Sequence, residues 1–255
     1  MNIIDILWIN YQRGCMEIFK YTFTNLVCLM SSLLEKGGYR RKAAFTLAEA
    51  LITLAIIGVV AAITIPNVVA KYQKKQVAIQ LKKTFSDLEN AIRLSEIDNG
   101  DMNEWDYSAT NNTEYKAFIE KYLQPYFKSS TIKSYWQITE YRKNGPSLIL
   151  SDGRMLSFQF TDSAYNWIFV DLNGTKSPNI AGKDVFVLDI KCNKDYNPEG
   201  RLIFWAANCG NNLSCLNGTS WNYACNSKSP SGNGNFFCGK IIQLNNWEIP
   251  DNYPW

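Results

Sequence analysis

The sequence contains no histidine. That absence removes Ser-His-Asp and Cys-His catalysis, the H-E-x-x-H zinc motif and mixed Cys/His zinc sites. It also lacks any C-x-x-C pair, so neither a zinc knuckle nor a thioredoxin-type redox motif is indicated. No internal repeat is visible, and the body of the chain has no excess of either charge. The first 44 residues hold six Lys/Arg and three Asp/Glu. Against totals of 26 and 23, this leaves 20 of each sign from Phe45 onward. A balanced body argues against a nucleic-acid partner, which would require a basic footprint.

With 255 residues, 46% of them hydrophobic, the chain fits one membrane segment and one globular domain of ordinary size. Residues 1–34 look apolar, but Asp5, Arg13, Glu17 and Lys20 interrupt them. The longest uncharged run there is 14 residues (Tyr21–Leu34), too short to span a bilayer. An alternative start at Met30 gives a compact polar leader, MSSLLEKGGYRRKAA, and is the reading favoured here. Of seven cysteines, Cys15 and Cys28 precede the apolar segment; Cys192, Cys209, Cys215, Cys225 and Cys238 crowd into the last quarter. In an Asn/Gly/Ser-rich tail this cluster predicts at least one disulfide in an oxidising compartment, with connectivity open and one thiol left over.

From Ala50 to Ala70, 21 residues carry no charge, enough helix to cross a bilayer core of ~30 Å. Glu49 stands at the head of this run. A carboxylate in such a segment costs roughly 2.5–3.5 kcal/mol on insertion scales, so it marks a functional site with a partner. The helix is expected to run from Phe45 to about Asp98. Its second half turns amphipathic, with Val77, Leu81, Phe85, Leu88 and Ile92 on one stripe and Lys71, Lys74, Lys75, Lys82 and Lys83 among the polar positions, read as a solvated face near lipid headgroups. Asn99-Gly100 ends it. Gly58 and Ala62 form a small-xxx-small face for close helix approach, and Pro66 removes one backbone donor.

Beyond Asp101 the texture is α+β. Asn112-Thr113 is expected to cap a short helix ending near Pro125. Ser147–Leu150 and Met155–Phe160 read as a hairpin across Asp152-Gly153. Asn166–Asp171 and Asp184–Lys191 read as two further strands. Residues 192–235 read as a disulfide-pinned loop region with a short strand at Leu202–Trp205, and Phe236–Leu244 as a last short element. Asn212-Leu-Ser and Asn217-Gly-Thr match the glycosylation sequon, a short pattern that carries little weight by itself.

The junction before the apolar run carries a resemblance. Arg40, Arg41 and Lys42 precede Ala43 and Ala44; then come Phe45, Thr46-Leu47-Ala48-Glu49 and the span. This resembles the leader of type IV prepilins and type II secretion pseudopilins. The resemblance implies that prepilin peptidase cuts between Ala44 and Phe45 and methylates the Phe45 amine, with alanine replacing the more usual glycine before the cut. It also implies that Glu49 acts in assembly, with Gly58 and Pro66 in the packing helix. The division is then residues 1–44 as leader, 45–70 as transmembrane and filament-core helix, 71–98 as its amphipathic continuation, and 99–255 as an extracytoplasmic globular domain. The expected fold is a long N-terminal helix packed on a small antiparallel sheet, pilin-like.

The resemblance makes the chain a structural subunit, not an enzyme, with no catalytic residue. Implied partners are prepilin peptidase, other pilin or pseudopilin subunits, an inner-membrane assembly platform and membrane lipid. Its implied place is the inner membrane, single-pass, and then a filament in the periplasm or at the cell surface. Charge flanking the span is nearly tied, so orientation follows the resemblance and the cysteines. An ordinary secretory signal fits poorly, because IPNVVAKYQKK offers no cleavage site after the apolar run. The alternative function is a membrane-tethered or minor-pilin adhesin that recognises a glycan or surface through its aromatic C-terminal region. No cofactor is expected except Ca²⁺: Asp171, Asn173, Asn179 and Asp184 are spaced as oxygen ligands, and major pseudopilins of type II secretion bind calcium in a C-terminal loop. The competing reading of that segment is a turn at Asn173-Gly174.

Overall fold

A computed structural model describes residues 47–133, 145–160, 166–174, 176, 179–190, 201–219, 222–228 and 234–255. Two compact units are present, residues 1–70 and 71–255. Helix α1 runs Leu47–Asn99 over 53 residues and stops where expected. Gly100 adopts φ +78° and its N–H caps the Glu96 carbonyl at 3.0 Å, a left-handed exit that glycine accepts without a Cβ clash.

In the first unit α1 shows its apolar side chains on all sides. Leu54, Ile57, Ile63 and Val68 are all exposed. This is the one helix, among the described residues, long and apolar enough to cross a membrane, and none of its most apolar window is buried.

In the second unit the helix acquires a single buried face. Ala78, Leu81, Thr84, Phe85, Leu88, Ala91, Ile92 and Ser95 recur at three-to-four spacing and enter the core. Val77 packs against that core while staying half-buried. Helix α2 covers Asn112–Tyr122. Its cap is Asn111, one residue earlier than expected, with Oδ1 accepting the N–H of Thr113 and of Glu114 at 3.0 and 3.1 Å. Two 3₁₀ turns, Met102–Glu104 and Gln124–Tyr126, flank α2.

The sheet has six strands in sequential order, each antiparallel to the next: β1 Thr131–Lys133, β2 Ser147–Ile149, β3 Met155–Phe160, β4 Asn166–Asp171, β5 Val185–Asp189 and β6 Ile203–Phe204. The expected hairpin is β2–β3, with Gly153 at φ +90° in the turn. The strand expected at Asp184–Lys191 is the shorter β5, and the one at Leu202–Trp205 is the two-residue β6. Every residue of β5 is buried, which requires cover on both faces of the sheet. Phe85 of α1 stacks on Phe204 of β6 at 5.3 Å. The next residue, Trp205, meets Phe237 at 5.2 Å and Tyr223 at 4.9 Å. The long helix and sheet together make the fold α+β. Two short helices finish the chain, α3 at Leu213–Leu216 and α4 at Cys238–Leu244, the latter filling the last element expected at Phe236–Leu244.

Candidate functional site

The candidate assembly segment is the first half of α1. Glu49 lies in its first turn and is exposed, where the positive end of the helix dipole favours a carboxylate. Polar groups farther along are absorbed by the helix itself. Thr53 Oγ1 donates to the Ala50 carbonyl at 2.9 Å, and Thr64 Oγ1 to the Val60 carbonyl at 2.8 Å. That leaves no hydroxyl needing water, as a helix in lipid requires. Pro66 sits inside the helix and withdraws the N–H that would have reached Ala62. The next residue, Asn67, donates its Nδ2 to the Ile63 carbonyl at 3.5 Å. A Cβ built on Gly58 meets nothing within 4 Å, so that face is open to a neighbour. Ala44 and Phe45, the expected cleavage and methylation residues, lie outside the described residues, as do the Met30 start and the leader.

The lysines of the second half are not a uniform solvated face. Lys74 lies over the Trp255 ring at 5.8 Å and Lys82 over Trp247 at 6.0 Å, tying the C-terminal tail to the helix. Lys83 pairs with Asp152 at 3.0 Å. Arg154, missed in the sequence, completes that cluster. It is 4% exposed, and its Nη1 donates to Thr84 Oγ1 at 2.7 Å and its Nη2 to Asp87 at 2.6 Å. Its Nε reaches both oxygens of Asp152, at 2.9 and 2.8 Å. Burial works to raise the Asp152 carboxyl, but the Arg154 and Lys83 hydrogen bonds outweigh it and hold that carboxyl well below the usual carboxylate range.

Of the four calcium candidates, three are directly joined in the β4–β5 loop. Asp171 is fully buried, and its Oδ1 accepts the N–H of Asn173 at 2.9 Å and of Gly174 at 2.7 Å. Asp184 accepts Asn173 Nδ2 at 2.8 Å through Oδ2 and the Ile180 N–H through Oδ1. Asn179 stands one residue before Ile180 and is half-buried. Burial, reinforced by the nearby Asp184 charge, pushes Asp171 up to about 7. Burial raises Asp184 as well. Asp171 Oδ2 is buried with no hydrogen-bond partner, an oxygen that a cation would satisfy. The donor set therefore fits a hard cation. With no group of three His/Cys/Asp/Glu among the described residues, amide and main-chain oxygens would have to complete the shell. The turn reading also holds: Gly174 has φ +67°, and its Cβ position is blocked by the Gly153 carbonyl of the neighbouring turn.

Two disulfides pin the tail, Cys209–Cys215 and Cys225–Cys238, with Cα separations of 5.4 and 4.8 Å. Cys192 lies outside the described residues. The second bridge also supports the β4–β5 loop. Gly182, at φ +83°, lies so close to Cys238 that a Cβ would come within 2.9 Å of its Sγ.

Comparison with known families decides the assignment. A model described as a family of unknown function (DUF6613) matches residues 67–255, most of the chain. The chain belongs to this family. A second model, the prokaryotic N-terminal methylation motif, matches residues 39–65. This member of the family thus carries the prepilin-type cleavage and methylation motif ahead of the family region, and is a type IV pilin- or pseudopilin-like protein. Proteins bearing that motif are structural rather than enzymatic. No curated protein and no solved structure matches the chain.

Proposed function

We propose that the protein is a filament subunit of a type IV pilus-like or type II secretion pseudopilus assembly. Prepilin peptidase cuts it between Ala44 and Phe45, residues 45–70 hold it in the inner membrane, and the domain from residue 99 onward lies outside the cytoplasm. An assembly platform then draws it into the filament by the same helix, whose amphipathic part, 71–98, continues into the domain. The observation that carries this reading is the methylation motif running directly into an unburied apolar helix headed by Glu49. A freed Phe45 amine four residues from Glu49 supplies the partner that offsets most of the cost of placing the carboxylate in lipid. Gly58 provides the close-approach face and Pro66 a point of local weakness. Calcium in the β4–β5 loop, held by Asp171 and Asp184 with oxygens from Asn173 and Asn179, is part of the same proposal.

The test is mass spectrometry of the chain recovered from sheared surface or periplasmic filaments. The expected species begins at N-methyl-Phe45. A chain that retains residues 40–44 in a peptidase-positive cell, or one absent from the filament fraction, defeats the reading.

A further inference from the structure

The last residues of the chain close one side of a cleft of about 360 Å³; its other side is the loop around Cys225. That volume falls at the lower end of the range for small-molecule sites. Around the cleft stand Asn217, Ser227, Asp251 and Asn252, whose side chains make no hydrogen bond among the described residues. The frame that carries them is well tied. Asn226 Nδ2 donates to the Gly218 carbonyl at 2.7 Å, its Oδ1 accepts the Lys228 N–H at 2.8 Å, and its own N–H reaches Asn235 Oδ1 at 3.0 Å. Cys225 is bonded to Cys238, and the buried Tyr253 donates its hydroxyl to the Gly182 carbonyl. Uncommitted polar side chains on a satisfied, crosslinked frame are the arrangement of a preorganised binding site.

We propose that this cleft binds a neutral carbohydrate. The amides of Asn217 and Asn252 and the Ser227 hydroxyl supply donors and acceptors together, and the Asp251 carboxylate accepts from paired hydroxyls. Among the described residues no lysine or arginine lines the cleft, which disfavours phosphates, nucleotides and acidic sugars. A single carboxylate, outside any cluster of metal-ligating side chains among the described residues, does not make a cation site. Pro254, half-buried at the cleft, adds a small apolar surface for the C–H face of a pyranose ring. The site goes beyond the filament reading and does not depend on it, since an unassembled subunit presents the same cleft.

The experiment titrates the full chain in lipid nanodiscs with maltose, lactose and chitobiose, followed by saturation-transfer NMR with empty nanodiscs subtracted. Saturable transfer to at least one sugar is expected. Asp251→Ala should weaken it about tenfold, the loss of one charge-assisted hydrogen bond. Ser227→Trp, at an exposed rim position, should abolish it by filling the mouth, with the melting temperature unchanged in both variants. Should Ser227→Trp misfold, Asn252→Ala serves as the second rim variant and should also weaken binding. Glu49→Val, which addresses assembly, should bind as wild type. No transfer to any of the three sugars, transfer undiminished in the folded rim variants, or a preference for sialyllactose over lactose would overturn the proposal.

Discussion

Along α1, residues 47–70 leave Leu54, Ile57 and Ile63 exposed, whereas residues 71–99 bury Leu81, Leu88 and Ile92. The two stretches differ in their surroundings. In the second stretch a three-to-four stripe is covered by the chain's own sheet and loops, so its stability is intramolecular. In the first, apolar side chains face every direction and the hydroxyls bond back to the helix, so its cover must come from lipid or from other chains. One helix therefore serves two solvents. Substitutions in the two stretches should fail in different assays: unfolding for one, assembly for the other.

The largest effect on the domain side is expected at Arg154. Arg154→Ala strips partners from Asp152, Asp87 and Thr84, and breaking a buried pair costs ~3–5 kcal/mol. Because both carboxylates are partly solvated, the low end, about 3 kcal/mol, is expected. Chemical denaturation of the reconstituted chain measures it. An equal loss of membrane insertion would break the separation between the two stretches.

Next comes the Cys225–Cys238 bridge, which closes a loop of sequence separation 13. Removing both cysteines should cost ~2–3 kcal/mol, by the loop-closure argument. It should also loosen the β4–β5 loop packed on Cys238 through Gly182. Reductant, which opens both bridges, should cost the wild type at least as much, whereas an unchanged melting curve under reductant would remove the bridge from the account.

Calcium should sharpen the domain side further. At a concentration 100 times its dissociation constant, an ion bound only to the folded state adds about 2.7 kcal/mol. Millimolar calcium should therefore raise the melting temperature, chelator should lower it, and Asp171→Ala should abolish the difference. Identical curves with calcium and with chelator would leave the loop as a turn.

Asp152 should give the smallest effect. Its folded-state pKa is depressed, so its stabilisation is complete above the unfolded value near 4 and is lost as pH falls from there toward the folded value. Asp152→Asn should flatten acid destabilisation below about pH 4. The same slope in variant and wild type would place the acid sensitivity elsewhere.

What was legible in the sequence follows the same division. The span, the stripe from Leu81 to Ile92 and strands β3 and β4 were readable because each imposes a period or an uncharged run on consecutive residues. β1 was not, since Thr131–Lys133 has three residues and little burial to leave a pattern. Crowded cysteines announced crosslinks, but spacing along the chain does not fix which sulfurs meet. Arg154 gave no local sign because its partners on α1 lie 67 and 70 residues away. Nor did Lys74 and Lys82 of α1, whose ring partners Trp255 and Trp247 arrive only once the chain has folded back. The rim of the cleft beside Cys225 belongs to the same class. Asn217, Ser227 and Asp251 come from separate stretches that spacing alone does not bring together.

The most direct measurement is the amount of Glu49→Val protein in sheared filaments, relative to processed protein in the membrane. Valine removes the charge, so insertion should be unimpaired or improved, by roughly the 2.5–3.5 kcal/mol penalty of a carboxylate. Cleavage before Phe45 should continue, because the junction and not the carboxylate is what the peptidase reads. The amine of a neighbouring Phe45 would then enter an apolar bundle without its partner, at a cost of ~3–5 kcal/mol. The account predicts normal membrane protein, normal processing and almost none in filaments. Valine protein entering filaments as well as wild type would contradict it, because Glu49 would then have no part in selecting its neighbours.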